Sequence, residues 1–346
     1  MKIKLDDTSD INKTRKKGSQ FDTLFGRPAV SSEYYKRIAH VDGILVKHKR
    51  FIDTYDELSE VFFLSKECYT PEQLCILGPT GAGKTYLVEE FVDQHPRVNL
   101  DDRTVIPVLY VKVPPNAKSP KALASKILRN MGDPFFDSGT EGNMTQRIHN
   151  FVRECKIEMI ILDEFQHLIN RDTDHVLKTA SEWLKTFIEE INIPVVLCGL
   201  PDSQRIFKHN EQLDSRYTNR IEYKPFCFAT QDDQKEFRTF LKAIDQALPF
   251  ANWSHLADPD TAAKIYYFSF GLPRYVMRLL KAASKLALKK GYDSIEMDQL
   301  RDGFNKITRS VRPYAINPFE IESFDLNLVI ENEEAKSGRL FQNSNL

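Results

Sequence analysis

Gly78-Pro79-Thr80-Gly81-Ala82-Gly83-Lys84-Thr85 is the stretch on which the reading of this 346-residue chain turns. It matches G-x-x-x-x-G-K-[ST] in full. A short apolar run, Gln73–Gly78, leads into it, and apolar residues at helical spacing follow over Thr85–Gln94. The glycines let the backbone curl so that successive N–H groups converge on a phosphate. The following helix adds its positive N-terminal end. Residues 78–85 are therefore the expected phosphate cradle, with Tyr86 beside them on the first turn of the helix. Lys84 is expected to reach the β- and γ-phosphates of a nucleoside triphosphate, and the Thr85 hydroxyl to bind Mg²⁺.

A second apolar run, Met159-Ile160-Ile161-Leu162, delivers Asp163 and Glu164 at its carboxyl end, which is where α/β sheets bind ligands. Asp163 is the expected second holder of the metal, through water. Glu164 is the natural residue to orient and activate an attacking water. One strand, Pro107–Val113 (PVLYVKV), intervenes between the two motifs, a spacing that sets the ATPase branch apart from the Ras-like GTPases.

Working outward, Pro194–Gly199 (PVVLCG) reads as a fourth strand and Ile221–Lys224 as a short fifth. Pro120–Met131 and Asp174–Glu190 read as helices. Strands alternating with helices argue for a parallel sheet covered on both faces. From about Gln231 only helical periodicity remains. The expected fold is α/β: a P-loop αβα sandwich with a parallel five-stranded sheet over 51–230, then a small all-helical lid over 231–313. Residues 1–50 carry basic clusters and read as an arm. Residues 314–346 read as a flexible acidic tail whose apolar patch, Phe324–Ile330, is suited to docking on a partner.

Composition narrows the classes. Net charge is −1, so any nucleic-acid contact must be a local basic stripe. The five cysteines are odd in number and never in C-x-x-C spacing, which suits buried free thiols in a reducing cytoplasm. The N-terminal twenty residues lack the apolar core of a secretory signal. No apolar run approaches the roughly 20 residues that span a bilayer, so a soluble intracellular protein with no membrane partner is expected.

Further motifs resemble AAA+ proteins. Leu213-Asp-Ser-Arg216-Tyr follows the fourth strand, where members of that class place an arginine finger; Arg220, one helical turn on, is the alternative. The resemblance gives that arginine the role of stabilising charge on the γ-phosphate of a neighbouring subunit's ATP. Gly271-Leu-Pro-Arg274 resembles the sensor-2 motif of the initiator-like clade, which would bring Arg274 over the phosphates. Members usually carry a polar sensor-1 residue at the end of the fourth strand. Here the chain reads Leu-Cys198-Gly199, leaving Ser203 or Asp202 as substitutes. Taken in order, Asp163-Glu-Phe-Gln-His-Leu168, Val-Val-Leu-Cys-Gly-Leu-Pro201 and Gln212-Leu-Asp-Ser-Arg216 resemble the TniB/TnsC family of transposition regulators.

That resemblance implies an ATP- and Mg²⁺-dependent switch with weak ATPase activity in the bacterial cytoplasm, associated with the nucleoid. Such proteins polymerise into rings or helical filaments around duplex DNA in the ATP state and recruit the transposase to a site chosen by a target selector. Hydrolysis then disassembles the platform. Contacts to DNA would track phosphates without reading sequence. The loop Pro114-Pro-Asn-Ala-Lys118-Ser119-Pro-Lys121 is the first candidate, through Lys118, Ser119 and Lys121, with Arg147 a weaker one. Two other readings stand beside this one: an initiator-like ATPase or helicase loader, and a signalling scaffold that does not touch DNA.

Overall fold

The computed structural model describes residues 15–16, 20–115, 117, 119–169, 174–307 and 312–338. In chain order, two helices, α1 (Ser31–Asp42) and α2 (Lys49–Leu64), precede strand β1 (Leu74–Leu77) and helix α3 (Lys84–Asp93). A two-residue hairpin, β2 (Val98–Asn99) and β3 (Thr104–Val105), leads to β4 (Val108–Lys112), α4 (Pro120–Met131) and α5 (Glu141–Glu154). Then come β5 (Met159–Asp163), the single turn α6 (Gln166–Ile169), α7 (Asp174–Ile191) and β6 (Val195–Gly199). A 3₁₀ segment, Pro201–His209, is followed by α8 (Glu211–Arg216) and β7 (Asn219–Glu222). The rest is helical: α9 (Gln231–Ala247), α10 (Pro259–Ser269), α11 (Pro273–Lys290), α12 (Met297–Asn305) and α13 (Leu326–Ser337).

Lys49–Lys224 forms one compact unit, and the residues up to His48 together with those from Pro225 form a second. In the first, the five strands are parallel in the order β4-β5-β6-β1-β7. Strand β6, rather than the strand Pro107–Val113 that intervenes in sequence, thus stands between the strand that leads into the phosphate loop and the one that ends in Asp163; β4 lies at the edge. One face (Cys75, Leu77, Val111, Ile160, Leu162, Leu197) is buried under α4, α5, α7 and α8 in a single cluster. The alternate residues Leu74, Ile76, Ile161 and Val196 are equally buried. On their side α2 and α3 pack through Phe62 and Phe91, ring centroids 5.6 Å apart. Continuous apolar runs are what a parallel sheet buried on both faces demands.

The fifth strand lies at Asn219–Glu222 rather than Ile221–Lys224. It is an edge strand with alternating burial, so it carries no apolar run to mark its start. Helix α5, capped by Thr140, and the β2–β3 hairpin carried too little pattern to stand out.

The second unit corrects both terminal assignments. The N-terminal segment is not a free arm over its described residues. Ile38 and Val41 of α1 are buried in the same cluster as α9 and α11. The buried Arg37 guanidinium donates to Pro249 O at 2.9 Å and to Asp22 O at 2.8 Å, and pairs with Glu33. Lys16 pairs with the buried Asp245 carboxylate at 3.4 Å. The acidic tail is likewise folded over 312–338. Arg312 and Glu333, both 2% exposed, form a bidentate pair on Tyr267 of α10, whose hydroxyl donates to Glu333 at 2.6 Å. The apolar patch that includes Val329 and Ile330 docks on that tyrosine within the chain. These segments are too polar for a core pattern. Ion pairs to residues more than 20 and up to 229 positions away hold them, and no local pattern reports such a pair.

Candidate nucleotide site

The phosphate loop is pinned between the carboxyl ends of β6 and β7. Gly78 N–H donates to Gly199 O at 3.1 Å, and Tyr223 N–H donates to Leu77 O at 2.6 Å. A Cβ on Gly78 would lie 2.2 Å from Tyr223 O, so no other residue fits there. Gly83 has φ +114° and closes the loop onto α3 in a conformation that only glycine adopts freely. Lys84 is buried, and its ammonium donates to Gly78 O at 2.6 Å and Pro79 O at 3.1 Å. Ala82 is buried inside the loop, whereas Tyr86 projects outward, 61% exposed.

Thr85 Oγ1 donates to Asp163 Oδ2 at 2.9 Å. The same oxygen accepts from the Tyr110 hydroxyl at 3.0 Å, and Asp163 Oδ1 accepts the Glu164 N–H at 2.8 Å. This carboxylate, 1% exposed, is thus oriented by three donors. A hydroxyl and a buried carboxylate side by side at a helix N-terminus are the oxygen donors Mg²⁺ takes, so the residues fit Mg·ATP. Burial and the Asp163 charge push the Tyr110 hydroxyl pKa up, keeping it a neutral donor. Glu89, one turn beyond Thr85, has its carboxyl pKa raised by partial burial and then by Asp163. Cys198 is fully buried, and burial followed by Asp163 holds its thiol well above the usual range.

Tyr110, Tyr223 and Glu89 were not legible as site residues. The signal for Tyr110 was present: in PVLYVKV it is a polar side chain on a buried strand, two residues before Lys112, which pairs in register with Asp163.

Glu164 adopts φ +58°, which is uncommon for a residue with a side chain. Its carboxylate accepts a hydrogen bond from the Gln166 amide, whose oxygen accepts Leu200 N–H at 3.3 Å. Of the two substitutes for a sensor-1 residue, Asp202 is exposed and paired with Arg205 at 2.6 Å. Ser203 is buried, its hydroxyl without a hydrogen-bond partner among the described residues.

Arg216 ends α8, three residues before β7 starts. Asn219 pairs with Leu74, the first residue of β1. Arg216 therefore lies at the amino ends of the strands, opposite the phosphate loop. It lines a recess of about 510 Å³ with Tyr69, Pro71, Gln73, Glu189 and neighbouring residues, and its guanidinium donates to Glu189 at 2.9 Å. Arg220 is tied more tightly: it donates to Tyr217 O at 2.6 Å, pairs with Asp214 and stacks over Phe207 with 4.1 Å to the ring centroid.

The remaining candidates are placed as follows. Lys118 lies outside the described residues. Lys121 is exposed on the first turn of α4. The Ser119 hydroxyl accepts Ala122 N–H at 3.3 Å as the helix cap, so its oxygen already serves its own helix. Arg147 donates to Phe135 O at 2.9 Å and Ser138 O at 3.1 Å, which leaves it poorly suited to track phosphate. In the helical unit, Gly271 (φ +70°) meets Phe226 O so closely that a Cβ would lie 2.0 Å away. Pro273 starts α11, and Arg274 is exposed on its first turn.

The family model described as Bacterial TniB protein matches residues 37–224, more than half of the chain. The chain belongs to the TniB family. The match ends where the compact unit around the phosphate loop ends. No curated protein sequence matches this TniB-family chain. Solved structures extend the likeness at the level of fold. The Aeropyrum pernix ORC2 protein, solved as ADPNP-ADP complexes, is similar at 14% identity and a TM-score of 0.58 over 90% of this chain and 86% of that one. CDC6P from Pyrobaculum aerophilum is similar at 15% identity and 0.55 over 77% and 69%. The Aeropyrum pernix ORC1 protein in complex with DNA is similar at 15% identity and 0.53 over 87% and 85%. With its five-stranded parallel sheet and helical second unit, this TniB-family protein is an AAA+ ATPase. No helix among the described residues is long and apolar enough to cross a membrane.

Proposed function

We propose that this protein is an ATP-gated regulator of transposition that assembles on duplex DNA, its nucleotide site completed by a second copy of the chain. The carrying observation is the division of the site residues between the two ends of one sheet. Lys84, Thr85, Asp163 and Glu164 gather at the carboxyl ends of the strands, while Arg216 stands at the amino ends. An arginine so placed has no path to its own phosphate loop but is free to meet a neighbour's.

In this reading residues 78–86 and Lys84 bind the triphosphate, and Thr85 and Asp163 hold Mg²⁺. The ion, when bound, neutralises charge on the phosphate oxygens. Glu164 orients a water and accepts its proton. Arg216 of the neighbour stabilises charge on the departing phosphoryl group, and Arg274 reports nucleotide state to the helical unit. Because the site is shared, ATP favours assembly, and hydrolysis removes the phosphate that bridges it. The family supports transposition as the setting, with transposase and a target selector as partners in the bacterial nucleoid. Lys118, Ser119 and Lys121 are the proposed DNA contacts, with Lys121 the best supported by its exposure.

Negative-stain electron microscopy with duplex DNA tests the reading, comparing a non-hydrolysable ATP analogue with ADP and with no nucleotide. Rings or filaments on DNA with the analogue alone are expected. Monomers in every condition, with ATP still hydrolysed, would overturn it in favour of a loader or signalling scaffold.

A further inference from the structure

Strand β6 ends in Cys198 and Gly199, and Leu200 follows, so no oxygen- or nitrogen-bearing side chain extends from this strand end toward Glu164. The gap is spanned from the other direction. Gln166, on the turn after β5, donates from Nε2 to the Glu164 carboxylate and accepts Leu200 N–H on Oε1 at 3.3 Å. Both hydrogen-bonding ends of one amide are therefore used, one on each strand end. Gly199 makes this possible. A Cβ there would lie 2.7 Å from the Phe165 ring and 3.0 Å from Gln166 Oε1, so any side chain would push the amide away. The backbone between the two strand ends is also tied, Phe165 N–H donating to Cys198 O at 3.1 Å. Glu164, in its left-handed conformation, is held by its surroundings rather than by local preference.

We propose that Gln166 is the positioning residue of the hydrolytic step, clamping the Glu164 carboxylate to the end of β6 in place of a polar residue on that strand. The inference rests on the reading of Glu164 as the residue that activates water. A carboxylate with two rotatable bonds beyond Cβ gains catalytic power only when its oxygen is held on the water's path. A single amide bonded to both partners also couples movement at the end of β6 to the orientation of that oxygen. Gln166 acts through Glu164 and need not touch ATP.

The test uses the full chain with DNA and ATP. Gln166→Met keeps the length and removes the amide. Gln166→Glu keeps the shape and sets a like charge against Glu164. Each is expected to lower kcat by roughly 10–100-fold, the usual scale for losing a group that orients a reactive one. KM, and the Kd of a fluorescent ATP analogue, should stay within about twofold. In the Glu164→Gln background, adding Gln166→Met should slow the enzyme no further, because the clamp has nothing left to position. Wild-type kcat in Gln166→Met, with Glu164→Gln inactive, would overturn the clamp alone. A further multiplied loss in the double variant would also overturn it, since Gln166 would then act independently of Glu164. An equal fall in nucleotide affinity would reduce Gln166 to a structural residue. A fully active Glu164→Gln would instead remove the underlying reading of Glu164. Should Gln166→Met fail to fold, Gln166→Leu, which also removes the amide and adds no carboxylate, carries the same comparison.

Discussion

The two ends of the sheet each hold a 2.9 Å contact between site residues, and the two contacts differ in kind. At the carboxyl ends Thr85 meets Asp163 inside a cradle of buried groups, the carboxylate fixed by three donors. At the amino ends Arg216 meets Glu189 in an open recess, both side chains about one-third exposed. The first is preorganised: its desolvated polar groups are already paired and aimed. The second is a solvent-screened pair worth little in stability, and an arginine on such a tether exchanges partners cheaply. A fixed half and a movable half are what a site shared between two copies requires.

Substitutions at the two ends should therefore fail differently. Lys84→Ala, at the fixed end, is expected to weaken ATP binding by roughly 100-fold or more, because it removes a charge-assisted donor from a buried site. Assembly on DNA should be lost with it, as read by fluorescent-nucleotide titration and electron microscopy. Retained assembly would separate the two functions. Arg216→Ala, at the movable end, should leave the ATP Kd near wild type and lower the hydrolysis rate by about 10³-fold. Arg220→Ala should instead lower the melting temperature, since its guanidinium bridges Tyr217, Asp214 and the Phe207 ring. If Arg220→Ala gives the catalytic defect and Arg216→Ala none, the assignment is reversed.

Thiol chemistry sharpens the same contrast. Cys68 lines the recess beside Arg216 and is exposed, whereas Cys198 and Cys75 are buried in the sheet. Burial pushes the Cys75 thiol up to about 12, and only thiolates react readily. Maleimide labelling near pH 7, followed by peptide mapping, should find Cys68 and Cys227 modified and Cys75, Cys155 and Cys198 spared. Labelling of Cys68 should slow by roughly tenfold when the ATP analogue and DNA drive assembly, because the recess becomes covered. Unchanged labelling would mean that the amino-end face stays open.

The smallest effect is expected at the tether. Hydrogen bonding from Lys185, then from Arg216, lowers the Glu189 carboxyl pKa. The pair is thus fully formed above the ordinary carboxylate range and is lost as pH falls through the depressed pKa. Glu189→Gln should release Arg216 and change the hydrolysis rate by no more than about fivefold, the equivalent of a surface pair of under about 1 kcal/mol. A larger change would mean that the tether gates the site.

Legibility in the sequence follows the same physics. The cradle is read from eight consecutive residues because its chemistry is local: Gly78 and Gly83 are needed by the backbone itself. Asp163 and Glu164 follow from an apolar strand and its end. Arg216 was legible only as a candidate, since nothing local says which end of the sheet it faces; the register of β7 on β1 does. Tyr110 and Glu89 gain their place beside Asp163 from packing between elements. The terminal segments were misread because Lys16–Asp245 and Arg312–Glu333 are long-range pairs in polar sequence. Five cysteines read as buried thiols proved to be three buried and two exposed.

The central claim, a nucleotide site completed by a second copy, is tested most directly by mixing two variants in the presence of DNA. Lys84→Ala retains Arg216 but lacks the lysine of its own cradle, and Arg216→Ala retains the cradle but lacks the arginine. Each alone should be nearly inactive. Mixed in equal amounts, they should recover ATP hydrolysis well above the sum of the two, because one arrangement pairs an intact cradle with an intact arginine. No recovery at any mixing ratio, with both variants folded, would contradict the claim and return Arg216 to a role within its own chain.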